Sequence, residues 1–234
     1  MKTFLINFAN EKFEKRRKVN SQSGLNSGFD HCVEYTSNMF PLFYRKYKHI
    51  LDQPRGCGYW LWKPYIILQT LLQVNDGDVV MYSDSGATFI NSIQPLVDTC
   101  LREEIVLFEL NGIPLKSYTK RDCFYYMWGN TIEYHNTNFI TASFQLYKRC
   151  ERSITFVEKY LKWCCNEDVL TDKPNTCGLP NLPEFKDHRH DQSVLTILAK
   201  HNDIKLHADP SEYGNNHRHL YDNSNYGQII WHHR

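Results

Sequence analysis

Residues 79–82 (VVMY) form an uninterrupted apolar run between the strings NDGD and SDSG. Successive side chains of a strand point to opposite faces of its sheet, so a run without polar residues buries both faces. Strands of this kind occur in parallel sheets that are covered by helices on both sides. The run therefore predicts a central strand within a layered core.

Strand-like and helix-like segments alternate along the rest of the chain. Short apolar runs predict strands over residues 3–8, 32–35, 104–110, 139–144, 205–207 and 228–231. Helical spacing predicts helices over residues 40–51, 64–74, 153–165 and 192–200, and the basic run 12–18 either begins a helix or forms an exposed loop. Alternation of this kind predicts an α/β fold with a central, mostly parallel mixed sheet flanked by helices.

Residues 166–187 differ from these segments because they carry Pro, Gly and Asn without any periodicity. This composition predicts a long surface loop, which is a candidate lid over a binding site.

The charge balance argues against one class of partner. The chain has 27 Lys and Arg against 26 Asp and Glu, which disfavours a general polyanion binder such as a nonspecific DNA-binding protein. No run of ~18 apolar residues could span a membrane, and the first residues lack the apolar core of a signal peptide. We therefore expect a cytoplasmic protein whose eight cysteines are mostly free.

The residues that follow the central strand are the first candidates for a site, because ligands in open α/β sheets bind beyond the carboxyl ends of strands. Asp84 offers a carboxylate that can hold a divalent cation bridging a diphosphate. Tyr82, Ser83 and Ser85 flank it with hydroxyls, and Gly86 lets a ligand approach the backbone. The alternative is a plain turn, since Asp-Ser-Gly is a common turn string.

The string GYWLWKP lies just before the helix that Pro64 is predicted to begin. Lys63 would lie near the helix N-terminus, where backbone N–H groups favour an anion, and is a candidate phosphate contact. The alternative is a solvated surface lysine. Trp60 and Trp62 flank one residue, so we expect one of them to be buried and the other to face the site, stacked on a sugar or a base.

The pattern G-x-G-Y-W-x-W-K-P, followed by a helix and then by G-D-x-x-x-Y-x-D-x-G, resembles small GT-A-type glycosyltransferases of large viruses and bacterial surface-polysaccharide loci. The glycosyltransferase domain of a chlorella virus capsid-modifying protein belongs to this group. The resemblance extends from Thr3 to the carboxyl terminus. It implies a single Rossmann-like GT-A domain over residues 1–234, with a nucleotide-binding half (1–110) and an acceptor-binding, catalytic half (111–234).

The implied activity is metal-dependent transfer of a sugar from a nucleotide diphosphate sugar, most simply a UDP-sugar, to a saccharide acceptor. Members of the group hold the metal with a D-x-D motif. Asp84 matches the first Asp, but Gly86 replaces the second. A strand that ends in His resembles an element that supplies a metal ligand in related families, so His232 or His233 could replace the missing carboxylate. Such a ligand set suits Mn²⁺ better than Mg²⁺; the alternative is a solvated, His-rich end.

The resemblance implies roles for residues elsewhere in the chain. The first strand often frames the nucleotide base, which makes Phe8, Ala9 and Asn10 candidates, and Arg16 or Arg17 could reach the phosphates. Asp191 and Gln192 resemble a D-Q element that faces the donor sugar. Asp191 would act as the base in an inverting enzyme, whereas in a retaining enzyme Asp191 or Gln192 would stabilise the developing positive charge.

The residues around Asp191 leave a simpler interpretation open. Asp191 precedes an apolar helix and could be only its N-cap. His188, Arg189 and His190 are potentially cationic neighbours that would keep the carboxylate ionised, and His190 is also a candidate donor contact.

Several polar residues remain with two interpretations. Lys120, Arg121 and Asp122 either shape a substrate pocket or begin a helix, and His217 and His219 lie in a polar loop at the surface or facing the acceptor. The substitution at Gly86 also permits a catalytically inactive sugar-binding relative. A zinc module is a further alternative, built from Cys164, Cys165, Cys177, His188 and His190, although no C-x₂₋₄-C pair is present.

Overall fold

A computed structural model describes residues 1–232, in which strands and helices alternate as predicted. The strands are β1 (Thr3–Phe8), β2 (His31–Tyr35), β3 (Val79–Ser83), β4 (Ala87–Phe89), β5 (Ile105–Pro114), β6 (Asn138–Ile140), β7 (Phe144–Lys148), β8 (Leu206–Ala208) and β9 (Ile230–His232). The α-helices are α1 (Glu14–Asn26), α2 (Pro41–Lys46), α3 (Lys48–Leu51), α4 (Gly56–Tyr59), α5 (Trp62–Gln73), α6 (Gln94–Glu103), α7 (Arg121–Tyr126), α8 (Ile132–His135), α9 (Glu151–Cys164), α10 (Glu167–Leu170) and α11 (His190–His201). Single-turn 3-10 helices cover Glu11–Phe13, Ser37–Met39, Leu115–Ser117, Glu212–Gly214 and Arg218–Leu220.

The central sheet has seven strands in the order β2-β1-β3-β7-β5-β6, with β8 also paired to β5. β1 runs parallel to β2 and β3, and β8 runs parallel to β5. β7 and β6 are antiparallel to the strands beside them. The predicted α/β domain with a mixed sheet is therefore confirmed.

The central strand β3 is buried along its whole length. Val80 and Tyr82 pack into a core layer with helices α5, α9 and α11, whereas Val79 and Met81 pack into a second layer with α6. The run VVMY is thus covered on both faces, as its lack of polar residues predicts.

A separate two-stranded sheet brings the end of the described chain next to the end of β3. β4 pairs antiparallel with β9, and Ala87 lies opposite His232. Since β4 begins three residues after Asp84, β9 is a neighbour of the turn that carries this carboxylate.

Two predicted elements are each divided in the structure. The helix predicted over 40–51 is divided into α2 and α3 at Tyr47, whose φ of −111° and ψ of 28° are not helical. The strand predicted over 139–144 is divided into β6 and β7. The intervening residues instead present their carbonyl groups to the site: the Ala142 oxygen accepts from Lys63 and the Ser143 oxygen accepts from the backbone N–H of Asp84.

Other predicted boundaries shift by a few residues. The basic run 12–18 lies mainly within α1, α11 begins at His190, and β9 begins two residues later than the predicted strand. The segment 166–187 contains the short helix α10 and is otherwise without helix or strand. Within residues 1–232, no helix combines the length and apolar character needed to cross a membrane.

Candidate active site

An ion cluster lies at the carboxyl end of β3, and we call its members Lys63, Asp84 and Asp191 the Lys63 cluster. The Lys63 Nζ lies 2.8 Å from Asp191 Oδ2 and 3.7 Å from Asp84 Oδ1, and it donates to the Ala142 carbonyl oxygen at 3.2 Å. Lys63 and Asp191 are buried, at 2% and 3% exposure, whereas the Asp84 side chain is 35% exposed. One carboxylate of the cluster is therefore open to a ligand.

Two buried tyrosines complete the hydrogen bonds of the carboxylates. The Tyr82 hydroxyl donates to Asp84 Oδ1 at 2.5 Å, and the Tyr160 hydroxyl donates to Asp191 Oδ2 at 3.1 Å. Burial raises the pKa of both phenols well above the usual value, so both remain protonated and act as donors.

Burial and charge act in opposite directions on the buried ion pair. Burial alone would lower the pKa of Lys63, but Asp191 and Asp84 outweigh it and hold that pKa above its usual value. Burial raises the pKa of Asp191, and the neighbouring ammonium opposes the shift. The ammonium is thus held in its charged form by the two carboxylates.

Local sequence explains how Lys63 reaches this position. Gly58 has a φ of +96°, and a Cβ at this residue would lie 2.5 Å from the Leu51 Cα, so only glycine fits the tight turn of α4. The next turn starts α5 and directs Lys63 inward. The surface-lysine interpretation is therefore wrong.

The structure also corrects the N-cap interpretation of Asp191. Helix α11 begins at His190, its N-cap position is Arg189 without a side-chain cap, and Asp191 lies in the first turn. Its carboxylate bonds to Lys63 and Tyr160 instead of to backbone N–H groups, because α11 packs against α9 at this point.

A first cavity of about 440 Å³ opens beside the carboxyl end of β1. Phe8, Asn10 and Trp62 line it, and the Phe8 and Trp62 rings stack with centroids 4.0 Å apart. Ala9 is buried under this wall, and the Ser85 hydroxyl donates to the Phe8 carbonyl oxygen at 2.7 Å. The first cavity therefore adjoins the turn that carries Asp84.

The two candidate arginines lie on α1. Arg17 is buried and reaches β2, with its guanidinium 3.3 Å from Glu34 and donating to the Tyr35 carbonyl oxygen at 3.0 Å. Arg16 lies on the exposed side of the helix. Neither side chain lines the first cavity.

Trp60 and His190 form a packed group at the start of α11. The two rings stack with centroids 5.7 Å apart, and Tyr59 lies on His190 at 4.7 Å. His190 is 1% exposed, its Nδ1 bonds to the Leu170 carbonyl oxygen, and burial lowers its pKa. Trp62 is the more buried of the two tryptophans.

A second cavity of about 160 Å³ is lined by residues between Leu110 and His232. Its polar and charged residues include Ser143, Arg189, Gln192, Asp209 and His232. The Gln192 amide donates to the Ile140 carbonyl oxygen at 2.9 Å, which fixes the side chain at the cavity wall.

The structure describes two of the three predicted metal ligands. Asp84 and His232 are carried by neighbouring elements, whereas His233 lies outside the described residues. The His232 Nδ1 lies 3.8 Å from the Glu212 carboxylate. Within residues 1–232, no three His, Cys, Asp or Glu side chains are grouped closely enough to hold a metal ion. Asp84 and His232 offer one carboxylate and one imidazole, donor types that suit a divalent metal, and ligand oxygens and water would have to complete the set.

The structure gives the zinc alternative no support. All eight cysteines are free thiols, Cys164 is buried in the core, and no metal-binding group forms within the described residues. His188 and His190 use ring nitrogens to bond backbone carbonyl oxygens of α10. His217 and His219 lie on the loop around the last 3-10 helix, and neither lines the second cavity.

Tyr160 and Asp209 are among the residues at the site that were not predicted. The sequence around Tyr160 gives no indication of a site, because Tyr160 occupies an ordinary core position of the amphipathic helix α9. Asp209 follows strand β8 directly, which is the same signal that identified Asp84, and it could have been found by the same argument.

No protein-family model and no curated protein sequence matches this chain. Solved structures do. Mouse xyloside xylosyltransferase 1 in its apo form is 9% identical, with a TM-score of 0.52 over 100% of this chain and 97% of that chain. The galactosyltransferase LgtC, solved with donor and acceptor sugar analogs, is 13% identical, with a TM-score of 0.51 over 98% of this chain and 86% of that chain. This likeness shows that the chain has the GT-A fold that these two glycosyltransferases share.

Proposed function

We propose that this protein is a glycosyltransferase that moves a sugar from a nucleotide diphosphate sugar, in the first instance a UDP-sugar, to a saccharide acceptor. The observation that carries the proposal is that direct neighbours of the Lys63 cluster line two cavities. Trp62 precedes Lys63 and lines the first cavity, and Gln192 follows Asp191 and lines the second. A transferase needs this arrangement because donor and acceptor must meet at one charged centre.

The first cavity is assigned to the nucleotide. Its volume falls in the range of small-molecule sites, and the stacked rings of Phe8 and Trp62 offer an apolar wall for a base. All its lining residues come from 8–62, and those of the second cavity come from 110–232. This distribution supports a nucleotide-binding half over 1–110 and an acceptor-binding half over 111–234.

The diphosphate would then lie against the turn 83–86, where Asp84 is the exposed carboxylate. Asp84 and His232 would hold a divalent metal, with Mn²⁺ favoured by the mixed oxygen and nitrogen donors. When bound, this ion would neutralise the charge that develops on the departing diphosphate. Lys63 adds a fixed positive charge beneath Asp84 and positions its carboxylate.

Asp191 and Gln192 receive different roles. Asp191 lines neither cavity and is bonded to Lys63 and Tyr160, so we assign it to positioning the ammonium. Gln192 lines the second cavity, and its amide oxygen is the group that could stabilise positive charge on the donor sugar.

The test is a thermal-shift screen of UDP-, GDP- and dTDP-sugars with and without Mn²⁺, followed by an assay of nucleotide release. We expect one UDP-sugar to stabilise the protein by about 2.7 kcal/mol at a hundredfold excess over its Kd. Chelation should remove most of the effect, and UDP should be released when an acceptor is supplied. The absence of any shift with all the nucleotide sugars would contradict the proposal.

The inactive relative remains the second candidate because Gly86 lacks the side chain that would complete the D-x-D motif. It predicts the same thermal shift without release of UDP in the presence of any acceptor.

A further inference from the structure

The second cavity has two chemically different walls. Leu110, Tyr118 and Phe139 form an apolar side, and Thr141, Arg189, Gln192 and Asp209 form a polar and charged side. At about 160 Å³, the cavity is close to the size that holds one six-membered ring. A ligand with an apolar face and polar edges matches these walls.

Asp209 lines this cavity, and the described residues use only part of its hydrogen-bonding capacity. It is 2% exposed, and its Oδ1 accepts from both the backbone N–H and the hydroxyl of Ser211, at 2.7 Å and 2.5 Å. Its Oδ2 is buried without a hydrogen-bond partner within residues 1–232. A buried carboxylate oxygen without a donor is costly, so the site favours a ligand that supplies one.

The position of Asp209 is set by the backbone around it. A Cβ at Gly214 would overlap the Asp209 carbonyl oxygen, so glycine is needed for the loop to close on this residue. The guanidinium of Arg218 also donates to that carbonyl oxygen, at 3.3 Å. The carboxylate is therefore held in place before any ligand binds.

We propose that Asp209 is a specificity-determining residue that accepts a hydrogen bond from a hydroxyl of one sugar ring bound in the second cavity. The ring lies with its C–H face on the apolar side of the cavity. Arg189 also lines the cavity, with its guanidinium 4.8 Å from the Tyr118 ring centroid. The inference rests on the proposed function, since it identifies this sugar as the acceptor.

The position of the second cavity suits the binding of an acceptor sugar. The backbone N–H of Asp84 donates to the Ser143 carbonyl oxygen at 2.9 Å, and Ser143 lines the cavity. Gln192 lines it from the other side and follows Asp191 directly. A ring in this cavity would therefore lie next to the Lys63 cluster.

The test uses Asp209→Asn, which preserves the Oδ1 acceptor for Ser211 and replaces Oδ2 with an amide donor. The probes are glucose, galactose, mannose, xylose, fucose and N-acetylglucosamine, as methyl glycosides, measured by saturation-transfer NMR without nucleotide. We expect at least one to bind the unaltered protein and its Kd to rise about 10-fold or more in Asp209→Asn. The matched control, Asp98→Asn on the exposed side of α6, should bind as the unaltered protein does.

Tyr118→Leu provides a second variant that leaves the turn at Asp209 unchanged, and it should also weaken binding by removing one ring of the apolar wall. If no sugar of the panel binds, or if Asp209→Asn binds as well as the unaltered protein, the inference is wrong. Because no nucleotide is present, this outcome is independent of the nucleotide-sugar screen, so a failure of the proposed function would be seen separately.

Discussion

Two buried lysines in this protein form ion pairs with buried carboxylates, and only one of the pairs lies at the site. The Lys63 cluster has direct sequence neighbours that line both cavities, Trp62 in the first and Gln192 in the second. The second pair, Lys120 and Asp122, we call the anchor cluster. Lys120 is 3% exposed and Asp122 is fully buried, with Nζ and Oδ2 3.5 Å apart. In burial and charge, the pair of Lys120 and Asp122 resembles the pair of Lys63 and Asp191.

Their remaining hydrogen bonds are different. Lys120 donates to the carbonyl oxygens of Thr171 and Lys173, at 3.4 Å and 2.7 Å. Asp122 accepts from the backbone N–H groups of Thr176 and Cys177, at 2.8 Å and 2.9 Å. The anchor cluster therefore forms its remaining hydrogen bonds with the backbone of 171–177, whereas Asp84 of the Lys63 cluster is partly exposed.

The anchor cluster also changes the interpretation of the segment predicted as a lid. Arg55 adds ion pairs to Asp172 within the segment and to Asp187 at its last residue. Burial would raise the pKa of Asp122, but its hydrogen bonds from the segment outweigh burial and lower it. The segment is thus fastened to the domain at several points, and a buried charge here has a structural role.

The largest expected effect concerns the stability of the Lys63 cluster. Lys63→Met leaves Asp191 buried without its cation, and we expect the free energy of unfolding to fall by about 3–5 kcal/mol. Adding Asp191→Asn should recover much of this loss, because a neutral amide no longer needs the ammonium. Urea denaturation of the single and double variants measures both quantities. A loss below about 1 kcal/mol in Lys63→Met would show that the pair is not buried as described.

The next effect separates the clusters by activity. Asp84→Asn should lower turnover of the nucleotide sugar identified in the screen by about 100-fold or more, with the fold retained, because the exposed carboxylate is lost. Asp122→Asn is the matched control. It should lower stability by about 1–3 kcal/mol through the segment 171–177, with little change in kcat of the folded protein. Equal losses of activity in Asp84→Asn and Asp122→Asn would contradict the assignment of a catalytic role to one cluster and a structural role to the other.

The smallest effect is a pH dependence of the anchor region. His188 accepts from the Lys120 backbone N–H through Nδ1, at 3.3 Å, and its Nε2 lies 2.9 Å from the Val169 carbonyl oxygen. Burial lowers its pKa well below the usual 6.5. The unfolded chain therefore binds a proton below about pH 6.5 that the folded chain excludes, and stability falls as the pH drops below this value.

His188→Gln should reduce the pH dependence of the unfolding free energy by up to about 1.4 kcal/mol per pH unit, which corresponds to one proton. The unfolding free energy above about pH 7 should change less. Denaturant titrations between about pH 5 and pH 8 measure the slope, because this range covers the ordinary pKa of histidine, about 6.5. An unchanged slope would place the acid sensitivity elsewhere, for example at the buried His207.

Much of the site could be located from sequence because its residues follow recognisable local signals. Asp84 follows a wholly apolar strand, Lys63 precedes a helical proline, and Asp191 begins an apolar helix. The same reasoning treated 120–122 as an equal candidate for a pocket. It could not separate the clusters, because the partners of Lys120 lie about 50 residues away in a segment without periodicity.

The sequence by itself determined the layered α/β architecture and the position of Asp84 directly after the central strand, because these follow from patterns within a few residues. Only the tertiary structure decided that Lys63 is buried, that Asp191 pairs with it and that Asp209 Oδ2 is buried without a hydrogen-bond partner among residues 1–232. These properties depend on contacts between segments as far apart as α5 and α11, and burial, hydrogen bonding and pKa are set by such contacts and not by neighbours in the chain.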